Sequence, residues 1–391
     1  PEDFTLTPTM FERCQKLRSV NLLGNHITIP ERCFGDCINL TEIDITKAAL
    51  IKDEAFRRCQ NLSVSTIPAD TFVAVSAFEE SGATDVVIED ISKVCNRVFA
   101  DCKSLKKLTI NVADGPTSVS SALVKGCKNL QTVVFTGRTN NLTVIEAAAF
   151  KETKNLNTIS LPDTIKTISK EAFYDSGIEN IHLPENLKQI GTMAFAKSGL
   201  KDIVIPNKTK KLGEYTFLDC EELTEATLPE SVTKIPSGLF EKCYNLKTVN
   251  ALNVNTVCDY AFYGCKNLET FDFGKLQSLG LMAFAYTGIR KAVFSDKFSE
   301  LGVSVFHSCK NLQTVDMKTC KIQEIPYQCF CFCNELKDIQ LPQDVTIFDS
   351  GCFLRAKLNK LVINAGTYVG NNTFSKSFIS ELVFTDDTNH L

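Results

Sequence analysis

Tryptophan is absent from the 391-residue chain, and only four histidines and four methionines occur. The histidines, His26, His182, His307 and His390, are scattered and form no H-E-x-x-H pair. No helical zinc-protease site can be built from them. There is no G-x-S-x-G elbow and no glycine-rich phosphate cradle, so no nucleophile is paired with a base and no nucleotide loop is present. The chain is read as non-enzymatic, with no cofactor and no metal. No stretch of about 18 apolar residues could span a bilayer, and residues 1–20 lack the basic start and apolar run of a signal peptide. Dense runs of lysine or arginine are missing too. With 42 basic against 46 acidic residues and a net charge of −4, nothing marks a nucleic-acid partner. No linker rich in proline, glycine or serine interrupts the chain, so residues 1–391 read as one domain.

Phenylalanine and cysteine, in contrast, are plentiful, at 27 and 17 residues. Phenylalanines recur at Phe11, Phe34, Phe56, Phe78, Phe99, Phe150, Phe173, Phe195, Phe217, Phe240, Phe262, Phe284, Phe306, Phe330, Phe353 and Phe374, 22 or 23 residues apart almost throughout. Leu123 is read as the anchor that fills the one gap. Five residues before most anchors stands another apolar residue, such as Ile29, Ile51, Val94, Ile145 or Ile168; before Leu123 that slot holds Ser118. After the anchor comes a Leu-x-x-Ile-x-Leu pattern, as in Leu156, Ile159 and Leu161, whose alternation predicts a strand with one face buried. Proline often follows, at Pro162, Pro184, Pro206, Pro229 and Pro342, and its missing N–H ends the ladder. Glycine recurs four residues before the anchor, at Gly191, Gly213, Gly280, Gly302 and Gly370, where a tight bend is expected. Between bend and anchor we expect a helical turn or a 3₁₀ piece.

One such coil cannot bury its apolar face alone, but stacked coils form a continuous core. The predicted fold is a repeat solenoid, α/β in class with little helix, of about seventeen coils with a parallel sheet along one face and a phenylalanine ladder inside the other. At about 4.8 Å per coil this gives a curved body roughly 80 Å long. The pattern weakens over 64–90 and 110–141, including Asp114, Gly115 and Pro116, where loops or bulged coils are expected. Both ends lack an obvious polar cap, from which we expect a fragment, a processed form, or end coils covered by a partner.

The cysteines fall mostly into repeat slots. Cys14, Cys37, Cys59, Cys102, Cys220, Cys243, Cys265, Cys309 and Cys333 each lie three residues after a phenylalanine, where other coils place Ser, Thr or Ala. That slot asks for a small side chain, and free cysteine behaves as a small buried hydrophobe. Cys127 follows the irregular Leu123. Cys329-Phe-Cys331-Phe-Cys333 lacks the C-x₂-C pairs of a structural zinc site. Asn39 and Asn61 head N-x-[ST] triplets, yet they share a recurring Asn-Leu slot that serves the turn into the strand.

The outward strand positions form the candidate binding face: Glu42, Asp44, Lys107, His182, Asp202, Glu225, Asp272, Asp316, Asp338 and Lys360. This face is polar, mixed in sign, somewhat acidic and nearly free of aromatics. Asp202 and Glu225 on adjacent coils are two carboxylates, too few for a calcium cage.

The segments Ile168-Ser-Lys-Glu-Ala-Phe173 and Leu200-Lys-Asp-Ile203-Val-Ile205-Pro206, and the variant Phe240-Glu-Lys-Cys243-Tyr-Asn-Leu246-Lys-Thr-Val249, resemble the BspA-type leucine-rich-repeat family. The resemblance covers essentially the whole chain. It implies a surface-exposed or secreted protein that adheres to a host or microbial protein or glycoprotein. The family motif specifies scaffold positions alone, so it assigns no site residue. A structural or intracellular interaction scaffold is the alternative reading.

Overall fold

The computed structural model describes residues 5–115 and 117–385; Pro116 and His390 of the sequence reading lie outside them. Contacts divide the chain into two units, Pro1–Leu200 and Lys201–Leu391. Each is a stack of parallel β turns with almost no helix, about seventeen turns in all. Most turns run through a strand after the anchor, a short second strand, and a turn segment around the next anchor, with isolated bridges such as Thr158 with Asn180 replacing a strand in some.

In the first unit the strands after the anchor pair in parallel as Ser19–Val20 with Glu42–Ile43, and as Thr66–Ile67, Asp85–Ile88, Lys107–Val112 and Thr132–Gly137 in that order. In the second unit they form the rows Asp202–Val204, Glu225–Thr227, Thr248–Asn250 and Lys291–Val293, Thr314–Asp316, Asp338–Gln340. Lys357–Asn364 then pairs with Phe378–Thr385. Within each unit we call these rows the long-strand sheet. Its alternation is the predicted one: along Asp85–Ile88, Val86 and Ile88 are buried while Asp85 and Val87 face solvent.

A second parallel ladder, beyond the single sheet expected, runs through the apolar slot five residues before the anchor. It joins Thr117–Val119, Leu142–Ile145, Thr167–Ile168 and Gln189–Ile190 in the first unit. In the second unit it joins Lys234–Ile235, Thr256–Val257, Ser278–Leu279 and Glu300–Leu301. Inward apolar residues such as Val119, Ile145, Ile168 and Ile190 fix the register of these short strands.

The turn segments correct the expectation of a helical turn. The 3₁₀ pieces among the described residues lie elsewhere, at Ile45–Lys47, Ile91–Lys93 and Thr139–Asn141. Around each anchor the residues two before and two after adopt left-handed backbone, as at Arg32 (φ 51°) and Asp36 (φ 58°) beside Phe34. The N–H groups of Arg32, Phe34 and Asp36 donate to the next coil, to the carbonyls of Asp53, Ala55 and Arg57 at 3.0, 2.9 and 2.8 Å. Those of Cys33, Gly35 and Cys37 instead close turns within the coil, on Pro30, Arg32 and Phe34. A helix would turn every N–H back along its own segment. Alternating right- and left-handed residues send every second N–H to the neighbouring coil, and that bond offsets the cost of about 1–2 kcal/mol for a left-handed non-glycine residue.

This register also corrects one anchor. The Phe99 N–H donates to the Leu123 carbonyl and the Val124 N–H to the Ala149 carbonyl, as Phe34 does to Ala55, so Val124 and not Leu123 occupies the anchor slot. The apolar residue five before it is then Val119, paired with Ile145, in place of Ser118. Cys127 falls three residues after the anchor like the others. Both Leu123 and Val124 are buried, which is why spacing alone misassigned them. The segments 64–90 and 110–141 are built into coils, the second with a register shift where Leu142–Ile145 pairs with Thr117–Val119. The first is a complete coil around the buried Phe78, and the second lengthens the strands, with six residue pairs between Lys107–Val112 and Thr132–Gly137.

Inside the turn side the anchor rings stack face to face. Centroids lie 5.1–5.6 Å apart from Phe11 through Phe99, and 5.0–6.1 Å apart from Phe217 through Phe374. The seventeen cysteines are unbridged. Those in the slot after the anchor donate Sγ–H to the preceding coil's anchor carbonyl, as Cys59 to Phe34 at 3.1 Å, Cys127 to Phe99 at 3.0 Å and Cys265 to Phe240 at 3.1 Å. At Thr153, Thr287 and Ser377 the hydroxyl caps its own anchor's carbonyl, on Phe150 at 2.8 Å, Phe284 at 2.7 Å and Phe374 at 2.6 Å, whereas the Ser81 hydroxyl meets Cys102 Sγ at 3.4 Å. The slot therefore selects a small volume and in most coils also uses its donor. The Asn-Leu slot also works as read, Asn39 and Asn61 donating to the carbonyls of Gln15 and Ile38.

Candidate interaction faces

In the first unit the long-strand sheet presents Glu42 beside Ser19 and Lys107 between Asp85 and Thr132, all on the solvent face. His182 is exposed two residues beyond Asn180, which bridges Thr158. Asp44 is not a strand residue. It caps the 3₁₀ turn Ile45–Lys47, its carboxylate accepting from the Thr46 N–H at 3.1 Å, and hydrogen bonds from Thr46 hold it below the usual carboxylate range.

In the second unit Asp202 stands directly opposite Glu225, and both are exposed. Like charges on facing rungs repel, a cost that full solvation keeps small. Thr314 faces Asp338 and Asp316 faces Gln340 on adjacent strands, while Lys360 pairs with Glu381 at 2.7 Å. Asp272 departs from expectation: it lies outside the strands, and its Oδ1 accepts from the Gly274 N–H at 3.0 Å. Asp316 closes a similar turn on the Lys318 N–H at 3.1 Å while keeping its place in the strand. Two concavities open on this face. One of about 530 Å³ is lined by Lys318, Lys337, Asp338 and Lys360 among others, and one of about 400 Å³ by Glu269, Asp272 and Arg290. Apolar residues interrupt the polar surface, Val204 being 65% exposed. Among the described residues no group of three or more His, Cys, Asp or Glu could hold a metal ion, and no helix is long and apolar enough to cross a membrane.

Sequence reasoning passed over a second surface. On the turn side of the second unit, Tyr263, Tyr286, His307 and Phe332 form a chain of ring contacts 5.3–5.7 Å apart. The signal was present in the slots one and two residues after the anchor, where the other coils mostly place charged or small residues.

The profile of the BspA-type leucine-rich-repeat region matches overlapping stretches of the chain, residues 4–106, 71–198, 143–269 and 255–380. No curated protein matches it. Among solved structures, a leucine-rich repeat protein of Bacteroides ovatus is similar in fold. It is 24% identical with a TM-score of 0.57, covering 70% of this chain and 83% of that one. A leucine-rich cell surface protein of Faecalibacterium prausnitzii is 19% identical over 95% of this chain and 91% of that one, with a TM-score of 0.44. Proteins of this repeat class generally bind other proteins and are generally non-catalytic. With the profile spanning nearly every coil and the coil geometry in place, the chain belongs to the BspA-type leucine-rich-repeat family.

Proposed function

We propose that the chain acts as one repeat domain that recognises a protein or glycoprotein at a cell surface or outside the cell, as an adhesin-like module. The long-strand sheet is its binding face. The observation that carries this reading is the sheet's solvent side, where rows of exposed polar and apolar residues such as Asp202, Val204 and Glu225 stand on a backbone held by parallel ladders. Such a face offers many hydrogen-bonding and apolar positions without reorganising, which lowers the cost of association. Family membership supports the same reading. The test is a screen of the purified chain against immobilised matrix and plasma glycoproteins at physiological salt, joined to protease digestion of intact producing cells. Saturable binding and surface cleavage are expected; protein sheltered from protease together with silence across the panel would favour an intracellular scaffold.

A further inference from the structure

The turn segments of the second unit change character along the chain. Taken from four residues before the anchor to three after, segments 280–287, 302–309 and 326–333 contain no Asp, Glu, Lys or Arg, whereas each of the other turn segments contains at least one. Aromatic rings fill this window. Tyr286, 40% exposed, meets Tyr263 edge-on at 5.3 Å and His307 at 5.4 Å; His307 meets Phe332 at 5.7 Å. Burial lowers the His307 pKa, so its imidazole is neutral at pH 7 and the window stays uncharged.

The two ends of the row differ. At one end the Arg355 guanidinium lies 5.2 Å from the centre of the Phe332 ring. At the other, Tyr260 packs edge-on against Tyr263 at 5.9 Å, and Glu241 holds the slot of Tyr263 on the neighbouring coil, whose Lys242 N–H donates to the Tyr263 carbonyl at 2.7 Å. The Glu241 carboxylate is only 18% exposed, and its ion pair is a loose 4.0 Å contact with the adjacent Lys242. Burial, with Asp219 adding to it, raises its pKa. A poorly compensated carboxylate on the coil next to Tyr263 is a setting that a cation relieves, since ring faces and carboxylate both attract it.

Depletion of charge with enrichment of tyrosine is the composition of an interface centre. The window spans three coils, roughly 15 Å at the usual strand spacing, so its area is on the order of a few hundred Å². A stable pair of folded proteins buries about 800 Å² on each side, so a second copy of this chain is too large a partner for the window alone. We propose that this row is a second binding site, separate from the long-strand face, for a short extended polypeptide segment carrying a lysine or arginine followed by uncharged aromatic or aliphatic residues. The basic side chain sits between Glu241 and the Tyr260 and Tyr263 rings, and the following residues lie along Tyr286, His307 and Phe332.

The test is fluorescence anisotropy with the full chain and a labelled octapeptide of two arginines followed by alternating serine and tyrosine. Saturable binding is expected, weakened at least tenfold by Tyr286→Ala with Phe332→Ala. Glu241→Gln, or exchange of the two arginines for glutamates, should weaken it severalfold, and Asp202→Lys on the long-strand face should leave it unchanged. Thermal melts check that the variants are folded; if the double variant is not, the exposed Tyr286→Ala alone carries the comparison. Absence of saturable binding, binding that survives the aromatic substitutions, or equal loss with Asp202→Lys would overturn the proposal. Binding of a neutral β-linked hexasaccharide in place of the peptide would overturn it as well.

Discussion

Phe262 illustrates what a single anchor does. Fully buried, it stacks on Phe240 at 5.6 Å and Phe284 at 5.0 Å, so truncation removes contacts on both sides and leaves a cavity that neighbouring coils cannot close. Phe262→Ala should cost about 3–5 kcal/mol in denaturant unfolding. The thiols follow from the same packing. Burial pushes the Cys59 thiol up to about 12 and the Cys33 thiol to about 11, so neither is a nucleophile near neutrality. Titration with a thiol reagent should find Cys14 reacting at once, the half-buried Cys95 and Cys258 slowly, and the remaining fourteen only on unfolding. Rapid modification of many thiols in folded protein would contradict the packing described.

Glu79 is the buried charge among the described residues of the first unit. Its side chain is 6% exposed and accepts from Arg97 at 2.8 and 3.3 Å, with Arg57 at 3.7 Å. Burial raises its pKa, but the hydrogen bonds from Arg97 and Ser76 and the charges of Arg97 and Arg57 outweigh that, leaving it lowered. A carboxyl lowered by folding contributes stability that is complete above its unfolded pKa, about 4.3, and is lost as pH falls through the lower folded value. Glu79→Gln should therefore destabilise at pH 7 by about 1–3 kcal/mol, discounted for the partly exposed Arg97. It should also flatten the acid limb of a stability profile below about pH 4.5.

At the scale of the element, the turn segment decides how closely coils approach. A Cβ on Gly302 would lie 2.6 Å from the Gly280 backbone, and one on Gly191 2.6 Å from the Lys170 nitrogen. Close approach of coils, and not only the bend, accounts for glycine in that slot. Gly302→Ala should cost about 1–3 kcal/mol and lower the melting temperature measurably. The strand alternation and the anchor period were legible because each reports one buried face. The left-handed residues were not: positions such as Glu54, Met193 and Tyr260 carry no glycine to mark them. Tertiary hydrogen bonding across coils, invisible in a single coil's residues, sets their backbone. The Val124 anchor was obscured in the same way, because two adjacent buried residues share the spacing and only the inter-coil register separates them.

Across the molecule, repetition makes the scaffold readable and the ligand unreadable, since the repeating slots are scaffold positions and the repeat motif says nothing of the residues that vary between coils. Eight of the ten residues on the predicted face keep exposed or half-exposed places on or beside the long-strand sheets, while Asp44 and Asp272 serve turns. The aromatic row of the second unit escaped because the face was sought on the strand side. Because Asp272 and Asp316 hold local turns, charge reversal there would mix structural with binding effects. Asp202 and Glu225 are cleaner probes. The most direct measurement is the affinity of the chain for whichever immobilised glycoprotein of the proposed screen it retains, compared by biolayer interferometry among the parent, Asp202→Lys and Glu225→Lys at two salt concentrations. The long-strand face predicts a loss of at least tenfold in the variants, with melting temperatures unchanged; undiminished affinity in both would show that the partner binds elsewhere.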